Sequence, residues 1–128
     1  MVYEMKDAVK KVLKSQLEPT ILKILTKNPS HGYEIIKILR KFGCYFGPST
    51  VYPLLNSMEE KGLIRSEWRF EKGRPRKNYS ITLKGIEYLR TYLKAEEIVR
   101  SELNNILAGQ FHVLLPEEVE IKTSKYER

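Results

Sequence analysis

Leu63-Ile64-Arg65-Ser66-Glu67-Trp68-Arg69-Phe70-Glu71-Lys72-Gly73-Arg74-Pro75-Arg76-Lys77-Asn78-Tyr79-Ser80-Ile81 is the stretch on which the fold turns. Before Gly62 the apolar residues recur at helical spacing; here the period falls to near two. Leu63, Ile64, Trp68 and Phe70 mark one run, and Tyr79 and Ile81 a second. Glu71 to Arg76 lies between them and carries Gly73 and Pro75, residues suited to a turn. The spacing predicts a β-hairpin.

Upstream of the hairpin the pattern predicts helices. Ser49 is placed to cap one in which Val51, Leu54, Leu55 and Met58 face inward, while Thr50, Tyr52, Asn56 and Ser57 project elsewhere. With Ser49 as cap, Pro53 takes the fourth helical position and removes only the first intrahelical hydrogen bond. Cys44 to Pro48 reads as a short turn. The helix before it should run from His31 to about Phe42, capped by Ser30, stopped at Gly43 and buried through Ile35, Ile36 and Leu39. Leu17, Ile21, Leu22, Ile24 and Leu25 predict a helix from Leu17 to Asn28-Pro29, with Pro19 in its first turn. Met5, Ala8, Val9, Val12 and Leu13, separated by lysines, predict an amphipathic helix over residues 4–15.

Downstream, Thr82 should cap a helix from about Leu83 to Leu107, roughly 37 Å long. Ile86, Leu89 and Leu93 suit the core of the preceding domain. Tyr88, Tyr92, Ala95, Val99, Leu103 and Ile106 form a second, heptad-like seam, whose only candidate partner in the chain is the N-terminal helix. A dimer interface through Val9, Val12, Tyr88, Tyr92, Val99, Leu103 and Ile106 is therefore expected. The predicted organisation is an N-terminal helix (1–16), a domain of three helices and the hairpin (17–82), a dimerisation helix (83–109) and a tail (110–128), in which Phe111, Val113, Leu114 and Leu115 could add packing.

The 128 residues suffice for one compact domain with an appendage, and 41% hydrophobic against 30% charged residues disfavours disorder. No apolar run nears the roughly 20 residues that cross a bilayer, and the opening Met1-Val2-Tyr3-Glu4-Met5-Lys6-Asp7-Ala8-Val9-Lys10-Lys11 lacks a signal-peptide core. A cytoplasmic protein without membrane contact is expected. Cys44 is the single cysteine, which excludes an intrachain disulfide and reads as a small, partly buried side chain. His31 and His112 have no flanking ligands at metal spacing, Gly32 and Gly73 sit in no phosphate-loop pattern, and Glu59-Glu60 reads as a solvated helix end. Neither an enzyme site, a metal nor a cofactor is predicted.

The net charge of +7 points to a polyanionic partner, and its distribution says where. Arg69, Lys72, Arg74, Arg76 and Lys77 stand against Glu71 alone and contribute +4 within nine residues, whereas the chain from Lys94 onward is net −2. The fold class is mainly α with a small β-hairpin. Three helices followed by a hairpin make a winged helix-turn-helix, here flanked by an N-terminal helix and a long C-terminal dimerisation helix. In that arrangement the third helix enters a major groove about 12 Å wide and the wing reaches adjacent backbone or minor groove.

Several spaced motifs also resemble the PadR family of transcription regulators. They are His31-Gly32-Tyr33-Glu34-Ile35, Ser49-Thr50-Val51-Tyr52-Pro53-Leu54-Leu55, Glu59-Glu60-Lys61-Gly62-Leu63-Ile64, and Gly73 through Gly85. The resemblance covers about residues 17–93 and implies a homodimer that represses genes. The pattern is departed from at two sites: Asn56-Ser57 stands where a basic residue is common in relatives, and Asn78 where an aromatic one is. The expected contacts with double-stranded DNA are Ser49, Thr50, Tyr52, Pro53 and Asn56 on the third helix, with Lys72, Gly73, Arg74, Arg76 and Lys77 on the wing. Lys72 to Lys77 is also similar to the core of an AT-hook, whose arginines lie in a narrow A·T minor groove. Family members often answer to small molecules; Tyr88, Tyr92 and Trp68 could border an effector cavity, though core packing explains them more simply, and no ligand is assigned. Two rival functions remain open: a non-specific architectural DNA binder and a winged-helix protein-interaction module.

Overall fold

The computed structural model describes residues 4–109, so the sequence readings for the tail and His112 lie outside the described residues. The order is α1 (Met5–Ser15), α2 (Leu17–Leu25), β1 (Ser30–His31), α3 (Gly32–Lys41), α4 (Pro48–Glu60), β2 (Ile64–Glu71), β3 (Arg74–Ile81) and α5 (Leu83–Leu107). By internal contacts the chain divides into two compact units after Ile86.

In the first unit, the inward stripes of three helices meet. Ile21, Leu22 and Leu25 of α2, Ile35, Ile36 and Leu39 of α3, and Val51, Leu55 and Met58 of α4 are all buried, and Leu63, Ile64 and Tyr79 close the core from the sheet side. Leu54, expected to face inward with them, is half-buried. Cys44 is buried beside this core, as is Phe46. α2 stops at Leu25, short of Asn28-Pro29, where the Thr26 hydroxyl donates to the Lys23 carbonyl and its N–H to those of Leu22 and Lys23. α4 ends in paired hydrogen bonds from Gly62 N–H to Glu59 and Leu63 N–H to Met58, which satisfy two of its last carbonyls.

The sheet has three antiparallel strands in the order β1-β3-β2, one more than the hairpin expected. Ser30 is a strand residue paired with Tyr79, not a helix cap. The α3 cap is His31, whose N–H donates to Glu34 Oε1 at 3.0 Å. The hairpin turn is also tighter than the sequence suggested. Lys72 and Gly73 alone form it, with φ of 50° and 77°, the pairing of a type I′ turn, whose twist matches the strands it joins. Arg74, Pro75 and Arg76 therefore belong to β3. Pro75 is tolerated because Phe70–Pro75 is the pair after the turn-closing one, where the ladder bonds point outward, and β1 pairs only with Asn78 and Tyr79.

Thr82 caps α5 as expected: its hydroxyl accepts the Gly85 N–H at 3.0 Å and donates to the Gly62 carbonyl at 2.6 Å. A Cβ on Gly85 would lie 2.1 Å from the Leu63 carbonyl oxygen, so only glycine lets the helix start this close to the strand.

The second unit is read from α5 alone. Leu89 and Ile98 are buried, but Ile86, at the end of the first unit, is 36% exposed and Leu93 49% exposed, which corrects the expectation that both pack in the core. Tyr92 and Ala95 are half-buried, whereas Tyr88, Val99, Leu103 and Ile106 are exposed. Burial, with Glu96 adding to it, pushes the Tyr92 hydroxyl pKa up. No helix among the described residues is long and apolar enough to cross a membrane.

Candidate nucleic-acid interface

α4 begins one residue earlier than its sequence suggests. Gly47 is the N-cap and Pro48 the first helical residue, where a proline has no helix bond to lose. Thr50 and Val51 both donate to the Gly47 carbonyl. Ser49 is thus inside the helix rather than its cap. Pro53 falls a full turn in, leaving the Ser49 carbonyl without its i+4 donor, but the helix continues to Glu60. Ser49, Tyr52, Pro53 and Asn56 are exposed and lie at spacings of three and four, one stripe opposite the buried Val51-Leu55-Met58 side. Thr50 is half-buried at its flank. Pro48–Glu60 contains no cation, and Lys61 just beyond it pairs with Glu18 of α2 at 3.3 Å.

Tyr52 has a second role that its position in the stripe hides. Its ring covers Gly32 at the start of α3, where an added Cβ would meet ring atoms at 2.5 Å. The ring is held by backbone from one side and 38% exposed on the other.

The wing's cations divide into two groups. Lys77 pairs with Glu59 of α4 at 3.5 Å, and Arg69 pairs with Glu67 at 2.8 Å on its own strand. Lys72 and Arg74 are exposed, Arg76 is half-buried, and these three make no ion pair among the described residues. The Lys77–Glu59 contact is solvent-accessible and worth ~0–1 kcal/mol, so a phosphate can displace it.

Two contacts that sequence reasoning missed hold the wing to the helices. Glu59 accepts the Ser66 hydroxyl at 2.5 Å, and that bond, with Lys77 nearby, keeps its carboxyl below the ordinary carboxylate value against the opposing effect of partial burial. Near the wing tip, Glu71 Oε2 lies 2.8 Å from His31 Nε2, with Glu34 at 3.4 Å, while His31 Nδ1 is buried without a partner among the described residues. Facing two carboxylates, Nε2 is the nitrogen that carries a proton. His31 thus anchors the wing at the start of α3. The motif gave one signal, a polar residue directly before a glycine that a helix must pass closely. Tyr79, beneath Tyr52, has its hydroxyl pKa raised by burial, with Glu59 and Tyr52 adding to the shift.

Between α4 and the wing runs a groove of about 650 Å³, lined by His31, Gly32 and Tyr33, by Tyr52 and Asn56, and by Trp68, Arg74, Pro75, Arg76, Lys77 and Tyr79. It brings together members of both predicted contact sets. Trp68 is 69% exposed in it, so core packing does not account for this residue.

A polar, uncharged helix stripe beside a cationic hairpin defines a winged helix-turn-helix protein of the DNA-binding kind. Residues 21–91, more than half of the chain, match the family described as the Transcriptional regulator PadR-like family, and the chain belongs to it. Transcriptional regulator Rv3488 of Mycobacterium tuberculosis is 36% identical over 93 residues, 72% of this chain and 83% of that protein. Transcriptional regulator YqjI of Escherichia coli is 32% identical over 97 residues, 73% of this chain but 45% of YqjI, so the likeness spans under half of that relative. Among solved structures, a PadR family transcriptional regulator from Eggerthella lenta superposes with a TM-score of 0.75 at 28% identity, covering 80% of this chain and 90% of that one. The family resemblance, the mainly α winged fold and the general role of a DNA-binding transcriptional regulator thus stand.

Proposed function

We propose that the protein is a homodimeric repressor that binds a pseudo-palindromic promoter site, with two copies of α4 in successive major grooves about 34 Å apart. Ser49, Thr50, Tyr52, Pro53 and Asn56 would meet base edges and phosphates. Lys72, Gly73, Arg74 and Arg76 would meet the flanking backbone and minor groove, joined by Lys77 once it leaves Glu59. The observation that carries this reading is that Tyr52 and Asn56, from the exposed Ser49-Tyr52-Pro53-Asn56 stripe, share one groove with the wing arginines Arg74 and Arg76.

Dimerisation is supported by apolar side chains left in solvent. Val9 and Val12 of α1 are 47% and 57% exposed, and Val99 and Leu103 of α5 are 55% and 52% exposed. Residues 1–16 and 83–109 are the segments that would supply this contact, on either side of a reading domain at 17–82. α1 also borders a largely apolar groove of about 800 Å³ with Met5, Val9, Leu13, Tyr45 and Phe46 in its walls. Cytoplasmic, nucleoid-associated placement follows from this function. A small-molecule effector is not assigned, since Trp68, one of the aromatics considered for such a cavity, lies on the wing.

Footprinting across the region upstream of its own gene, with sedimentation of the free protein, tests the proposal. A two-lobed protected site bound by a dimer is the expected outcome. Uniform coating of unrelated duplexes would instead make it an architectural binder, and absence of salt-sensitive duplex affinity would make it a protein-interaction module.

A further inference from the structure

The hairpin has two unlike faces. Successive strand residues alternate, and the register places Trp68 opposite Lys77 and Phe70 opposite Pro75, whereas Arg69 faces Arg76 and Glu71 faces Arg74. One face therefore carries Arg74 and Arg76, and the other carries an apolar strip of Trp68, Phe70 and Pro75, with Lys77 beside Trp68 turned to Glu59. Nearer the core the apolar face continues through Ile64 and Tyr79, which are buried; beyond Ser66 it runs into solvent, with Trp68 69% and Phe70 76% exposed. Two adjacent large aromatics on a protruding ribbon are unusual unless something covers them.

We infer that this strip is a DNA-contact surface, packing against deoxyribose and base edges of the minor groove while the arginine face and the Lys72 tip meet phosphates. The inference rests on the DNA-binding function proposed above and extends it to residues outside the expected contact set. Charge selects the occupant: Lys72, Arg74 and Arg76 are uncommitted on the same hairpin, so the partner is a polyanion that also offers flat apolar surface, which a duplex does. Position agrees, because Trp68 shares its groove with Tyr52 and Asn56; a strand lying along both α4 and the wing passes it. A ribbon entering the groove at its Lys72-Gly73 turn shows one face to each wall. Apolar contact releases no counterions, so the strip supplies affinity that salt does not erode, unlike the arginines.

Trp68 is the single tryptophan of the chain, which makes the test direct. An end-labelled duplex from upstream of its own gene is titrated with the full-length protein, following label anisotropy for binding and tryptophan emission for the strip. The expected result is that Trp68 emission is quenched in step with anisotropy. Phe70→Ala and Trp68→Ala should weaken binding by about fivefold to tenfold at every salt concentration with an unchanged log–log slope, and Trp68→Phe should restore most of it. Because these side chains are exposed, circular dichroism and melting of the variants should match the parent. If anisotropy rises while Trp68 emission stays constant, or if Phe70→Ala reduces self-association but not duplex affinity, the strip belongs to another partner and the inference is overturned. If anisotropy fails to rise with any duplex, it is DNA binding itself that is overturned, and the strip with it.

Discussion

The outward stripe of α4 and the wing stand side by side across one groove and are built from opposite chemistry. The helix presents Ser49, Tyr52, Pro53 and Asn56 and no cation at all; the wing presents Lys72, Arg74 and Arg76 without counter-ions among the described residues. A neutral helix can enter a groove and discriminate by hydrogen bonds, but it draws little affinity from counterion release. A cationic hairpin does the reverse. Reading and holding are thus assigned to separate elements, with Ser66–Glu59 and Lys77–Glu59 joining the wing to α4 and His31–Glu71 joining it to the start of α3.

The largest expected effect comes from removing both elements' cooperation at once. Val99→Glu with Leu103→Glu places charges on exposed positions, where a monomer tolerates them, and should dissociate the dimer. Sedimentation should show monomer, and affinity for a two-lobed site should fall about 100-fold, near 3 kcal/mol. A dimer of unchanged affinity would move the interface elsewhere. On the reading side, Asn56→Ala should lower affinity for the preferred site by about tenfold while leaving binding to random duplex intact, as measured by competition. An equal loss on both would mean that Asn56 holds rather than reads.

His31→Ala releases Glu71 and leaves the wing tip without its anchor. Duplex affinity should drop by about fivefold, with His31→Gln, which can still donate to Glu71, retaining most of it. The smallest effect is at Ser66→Ala. The Glu59 carboxyl is held below its ordinary value near 4.5 by the Ser66 hydroxyl, so that stabilisation is present at neutral pH and lost as pH falls through and below that value. For this partly exposed pair the difference in unfolding free energy should be about 1 kcal/mol at pH 7 and vanish in acid, as read by denaturant melts.

Much of the first unit was legible in the chain. The buried sides of α2, α3 and α4, the Thr82 cap and the hairpin all follow from period and cap residues, and the basic run at Arg69–Lys77 pointed to the wing. The errors have physical causes. Ser30 and Ser49 were read as caps because serine favours that position, but β1 is two residues long, too short to show a period, and Pro48 at the first helical position shifts the cap to Gly47. Trp68 and Phe70 fit a strand pattern equally well inside or outside a core, since a period of two marks a face and not where the core ends. The pairings of Lys77 with Glu59 and of His31 with Glu71 join residues distant in sequence, and the first of them leaves the wing with less free cationic charge than the chain alone suggests.

The central division between reading and holding is tested most directly by the salt dependence of duplex affinity for the parent, for Arg74→Ala/Arg76→Ala and for Asn56→Ala. The double wing variant should flatten the log–log slope by up to about two, since two phosphate contacts are lost, while Asn56→Ala should lower the line without tilting it. An unchanged slope in the wing variant, or a flattened one in Asn56→Ala, would overturn that division.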